Sequence, residues 1–92
     1  MKTVTMPDGQ KVTFAPAGFS QDVVELIELI EDPEKIKGSF GRALRLMRAV
    51  VKDCVVRGGK SEAEAEAFLC SIPLGEEMFK YLDPAKEAIG ID

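Results

Sequence analysis

Apolar positions in this chain change period once. From Lys2 to Phe14 they come in two short extended runs, and from Phe19 onward they recur at helical spacing. The runs Thr3-Val4-Thr5 and Val12-Thr13-Phe14 are β-branched or aromatic and flank Pro7-Asp8-Gly9-Gln10. That order predicts a β-hairpin, with proline presetting φ for the turn and Gly9 taking the positive φ of the loop. Ala15-Pro16-Ala17-Gly18 follows as a linker.

Ser20 opens a first helix that runs to Glu31, with Val23, Leu26, Ile27 and Ile30 as its buried face. Phe19, just before the cap, is placed to staple onto Val24. Asp32-Pro33 ends this helix and starts a short one. The longest helical pattern spans Ser39 to Arg57, where Phe40, Ala43, Leu44, Met47, Val50, Val51 and Cys54 share one face. Leu46, Val55 and Val56 widen that face, so neighbours are expected on more than one side, with Met47 and Val51 nearly fully buried. Ser39 is its candidate N-cap, and Gly58-Gly59 ends it. Ser61-Glu62-Ala63-Glu64 is a capping box for a helix reaching Cys70, before Pro73. Leu74 to Leu82 predicts another short helix with Leu74, Met78, Tyr81 and Leu82 inward. Asp83-Pro84 repeats the break, and Gly90 ends the last turn.

The expected fold is α+β and predominantly helical, one domain over residues 1–92. A hairpin at 1–14 precedes a body at 19–92, a compact bundle of four to five short helices around a central long helix. Ninety-two residues lie near the lower end of what folds on a single core. A two-stranded ribbon is marginal alone, so the hairpin must lie on the helices, pair with another chain or be partly mobile. In the second case Val4, Val12 and Phe14 are candidate partner contacts.

The net charge of −4 conceals a segregation: residues 38–60 carry six bases against Asp53 alone, and the rest of the chain six bases against fifteen acids. Arg42, Arg45, Arg48 and Lys52 stand at helical spacing and form one basic stripe. Asp22, Glu25, Glu28 and Asp32 repeat that spacing with opposite sign on the first helix. The stripe reads first as a solvated flank with some cross-helix ion pairs, then as a face that steers an acidic protein partner. A nucleic-acid surface comes last, since the helix offers no Asn or Gln to read bases.

Candidate chemistry is sparse. The chain has no histidine and two cysteines, which removes the commonest general base and the usual zinc ligands. All four serines stand at or near predicted helix starts, where capping explains them. Cys54 and Cys70 fall among apolar helical residues and are expected to pack as small hydrophobes. Neither phosphate-loop glycine pattern occurs. No enzyme, cofactor or metal site is expected, and no apolar run is long enough for a membrane span. The N-terminus lacks the apolar core of a signal peptide, so a cytoplasmic location is expected.

The N-terminal pattern Val4-Thr5-Met6-Pro7-Asp8-Gly9 with Val12-Thr13-Phe14, followed by a small acidic helical body, resembles the small tail-assembly chaperones of tailed bacteriophages. The resemblance implies a non-enzymatic protein that binds a tape-measure or tail protein during assembly and oligomerises around that client. It supplies no catalytic residue, and the arginine stripe has no counterpart in it. The alternative is a small nucleic-acid-binding regulator of a phage or mobile element, using the basic face of the helix at 39–57.

Overall fold

The computed structural model describes residues 1–91. Two antiparallel strands, β1 (Lys2–Thr5) and β2 (Lys11–Phe14), precede four helices: α1 (Gln21–Glu31), α2 (Phe40–Arg57), α3 (Glu62–Ser71) and α4 (Met78–Ala88). A single 3-10 turn over Pro33–Lys35 links α1 to α2, with the Asp32 carboxylate accepting from the Glu34 N–H at 3.3 Å. The fold is thus a small α+β unit, a hairpin followed by four helices.

The hairpin forms where its pattern requires. Thr3 pairs with Thr13 and Val4 with Val12, and the turn closes through the Met6 N–H donating to the Gln10 carbonyl at 2.8 Å. Gly9 holds φ at +92°, and the Asp8 carboxylate accepts from the Gln10 backbone at 3.1 Å. The period of two then sorts the ribbon: Thr3 and Thr13 hydroxyls meet at 2.8 Å on its outer face, while Val12 and Phe14 point inward.

Val12 and Phe14 are 1% and 0% exposed, and Met6 is buried with them. The hairpin lies on its own helices, touching α2 and α4. Phe14 meets Phe68 of α3 edge-on at a centroid distance of 6.2 Å, and Phe68 leans on Tyr81 of α4 at 6.5 Å. A sheet too small to be stable alone is therefore covered by aromatic and aliphatic side chains from three helices.

The junction of strand and helix is tight. The Ala15 N–H donates to the Cys54 carbonyl at 3.0 Å, and the Gly18 N–H to Asp53 Oδ2 at 2.8 Å. Any side chain at Gly58 would collide with the Thr13 carbonyl, so glycine is required there by close approach and not by its φ of −78°. The next residue, Gly59, takes the positive φ of +120° that ends α2.

Several expectations change. Phe19 is 95% exposed and staples nothing, because the Gly18–Asp53 bond turns the chain and leaves Phe19 toward solvent. Phe40 is 59% exposed: at eighteen residues α2 outruns neighbours of ten or eleven, which leaves its first turn uncovered. Ser39 makes no side-chain cap, whereas Ser20 and the Ser61–Glu64 box do. Met47 is half-buried, although Val51 is buried as expected, and Cys70 is exposed. On α1, Leu29 joins Val23 and Leu26 in the core, while Ile27 and Ile30 are half-buried.

The largest change is at Asp83-Pro84, which does not break the chain. α4 continues through Pro84, which is itself buried, and Leu74 lies before the helix, exposed. Proline forfeits the hydrogen bond to the carbonyl four residues back, and burial of Tyr81, Leu82, Pro84 and Ala85 along one face offsets that loss.

Two glycines separate these effects. Gly58→Ala is expected to cost about 1–3 kcal/mol through overpacking against Thr13. Gly41→Ala, in open space within the first turn of α2, is expected to stabilise by about 0.4–1 kcal/mol. Urea denaturation of both variants checks this, and equal shifts of the same sign would refute the close-approach account.

Candidate partner-binding surface

The basic stripe of α2 does not stand free. Arg42 pairs with Glu25 of α1, and Arg48 pairs with Glu66 of α3. Lys52 reaches Glu62 at 3.2 Å and Glu66 at 3.7 Å. The acids thus come from two helices on opposite flanks, not from α1 alone as the matching spacing suggested. Arg45 makes no ion pair among the described residues and remains exposed.

Glu66 is the hinge of this network. Its Oε1 accepts from Arg48, while Oε2 is shielded from solvent and has Lys52 at 3.7 Å as its counter-charge. The hydrogen bond from Arg48 and the nearby cations hold its carboxyl below the ordinary glutamate range. Glu64, two residues earlier, is lowered by its bonds to Ser61 in the capping box. Cys54 shows the opposite effect, with burial and the Asp53 charge pushing its thiol up to about 11. A thiol so placed is no nucleophile at neutral pH.

The hairpin candidates divide as well. Val12 and Phe14 belong to the chain's own core and are not available to a partner, and Val4 is half-buried against that core. The physical reason is the one above: the ribbon gains its stability by covering its apolar face with α2, α3 and α4. Lys2 also ties β1 to α4 through Glu87 at 2.7 Å. Each strand of the ribbon pairs only with the other among the described residues, so both outer edges lack a strand partner.

An unfilled apolar surface lies elsewhere. Between α1, α2 and α4 runs a cleft of about 250 Å³, walled by Leu26, Ile30, Met47, Phe79, Leu82 and Ile89 among others. A second cleft of about 180 Å³ adjoins it, walled by Leu44, Leu69, Leu74 and Met78. Met47 and Leu82 line both, forming the ridge between them. Phe79 and Leu74, at the walls, are 60% and 79% exposed. The polar groups lining the clefts are Lys86 in the first and Arg48 in the second.

Sequence reasoning missed this surface for a definite reason. Phe79, Leu82, Lys86 and Ile89 are spaced three, four and three, one helical face. The predicted break at Asp83-Pro84 cut that face in two, and with it the cleft wall. Comparison of the chain with protein-family models, with curated proteins and with solved structures found no match.

The ion-pair network has a pH signature. Because the folded-state pKa of Glu66 is depressed, its contribution is fully present above the ordinary glutamate value, about 4.3, and is lost as pH falls below that. Glu66→Gln is therefore expected to lower Tm at pH 7 and to lower it less at pH 3. Thermal scans at the two pH values decide, and an equal deficit at both would remove the charge from the explanation.

Proposed function

We propose that this protein is a non-enzymatic protein-binding module that shelters an apolar segment of a client polypeptide. The observation that carries this is the pair of adjoining apolar clefts, one between α1, α2 and α4 and the other between α2, α3 and α4, with Phe79 and Leu74 exposed at their walls. Protein surfaces meant for water cover such ground, and contiguous exposed apolar surface marks places where another molecule sits. On this reading α2 is the long axis of the bundle, and its half-buried Met47 is part of the ridge between the two clefts. Methionine suits such a ridge, since an unbranched, polarisable side chain adapts to different apolar partners.

The specific role we propose is that of a tail-assembly chaperone, which the N-terminal hairpin and small acidic helical body resemble. A client of that kind is a tape-measure or tail-tube protein whose apolar segments aggregate before assembly. The alternative of a nucleic-acid regulator draws less support. Three of the four stripe cations are held by carboxylates of the same chain, and each such carboxylate repels phosphate.

Co-expression with a phage tape-measure protein tests the proposal. Soluble yield of the client is expected to rise several-fold with the wild-type chain and to fall back with Phe79→Ser. Phe79 is largely exposed, so the variant should keep its Tm within a few degrees. An unchanged client yield, or salt-sensitive binding of duplex DNA in a gel shift, would overturn the chaperone reading.

A further inference from the structure

The clefts also state what kind of segment they suit. An apolar cavity of about 150 Å³ takes one benzene ring, so the spaces of about 250 and 180 Å³ suit one or two side chains each. They are small for a drug-sized ligand, whose pockets run from roughly 300 Å³ upward. Two adjoining hollows across a ridge suit anchors projecting from one regular element.

That element is a helix for a reason of backbone chemistry. Most of the walls are sides of α1, α2, α3 and α4, whose N–H and C=O groups are bonded within each helix, and only Ile36, Ile72, Leu74 and Ile89 line the clefts from outside them. An extended segment laid here would find no ladder partner, and its own peptide groups would be desolvated unpaired. A helix brings its hydrogen bonds with it and needs only apolar contact, made through side chains at i, i+3, i+4 and i+7.

Charge sets the sign of the partner. Acids outnumber bases sixteen to twelve in this chain, yet neither cleft has a carboxylate in its lining. Arg48 in the second cleft is already paired with Glu66. Lys86 in the first makes no ion pair among the described residues, since Glu87 beside it is taken by Lys2 at 2.7 Å. Asp83, three residues before Lys86, shares a neighbouring hollow with it and is the competing carboxylate. We propose that the twin clefts bind an acidic amphipathic helix of a partner polypeptide, its apolar anchors either side of the Met47–Leu82 ridge and a carboxylate on Lys86. This rests on the protein-binding reading above and adds the conformation and charge of what is bound.

Two synthetic helical peptides with the same Leu/Phe anchor face, one with glutamates on its polar face and one with lysines, provide the probe. Each is titrated into the full chain while the Met47 methyl resonance and peptide anisotropy are followed. The acidic peptide is expected to bind at least about tenfold more tightly, a factor worth 1.4 kcal/mol. That preference should fade at high salt and be lost in Lys86→Gln, whose fold is checked by circular dichroism. Asp83→Asn is expected to tighten the acidic peptide.

If the lysine peptide binds equally well, the charge assignment fails while the protein-binding reading stands. If neither peptide moves Met47 yet Phe79→Ser still loses client rescue, the helical occupant is wrong. Failure of both the peptides and the rescue removes both readings. Sedimentation showing a dimer that Phe79→Ser converts to monomer would make the occupant a second copy and overturn this proposal.

Discussion

The structure depends on the close approach of β2 to the C-terminal turn of α2. There the Cys54 carbonyl accepts from Ala15 as well as from Gly58 of its own helix, and the Thr13 carbonyl fills the space a side chain at position 58 would need. Asp53, held by Arg57 at 3.1 Å, anchors the Gly18 N–H next to it. This contact brings Phe14 and Val12 onto the helices, and everything the hairpin contributes to stability follows from that burial. Without it the ribbon would be two short strands in water, which do not persist.

Ion pairs orient the helices around this core more than they hold it. Arg42 faces α1, whereas Arg48 and Lys52 face α3, so one stripe of α2 is divided between two neighbours. The pairs are largely exposed, and solvent screens them. Their value is in sign: the stripe of α2 presents cations, and the facing helices α1 and α3 present acids and no bases in return.

The clefts follow from unequal helix lengths and from one unbranched side chain. α2 is longer than the helices that cover it, and Met47 meets α1 on one side and α4 on the other without being enclosed by either. Phe79 and Leu74 then stand beside the opening instead of closing it. A fully packed core would have drawn one of them in. Their exposure is the observation on which the proposed binding role rests.

Local chemistry was enough to locate the hairpin, the Ser61–Glu64 capping box and the ends of α1 and α2, because each depends on residues within a few positions of one another. Period alone also separated strand from helix. What it could not decide was which of several apolar faces is covered, since that depends on residues distant in the chain. Phe19, Phe40 and Leu74 have the right chemistry for a core but no neighbour to form one with. Pro84 marks a helix break by its own chemistry, yet α4 continues through it because Tyr81, Leu82 and Ala85 are buried on either side. The candidate site shares that fate: its wall of Phe79, Leu82, Lys86 and Ile89 exists only once the helix is continuous. Likewise the partners of Arg48 and Lys52 lie eighteen and ten residues away on α3, and only the packing of two helices brings those charges within reach.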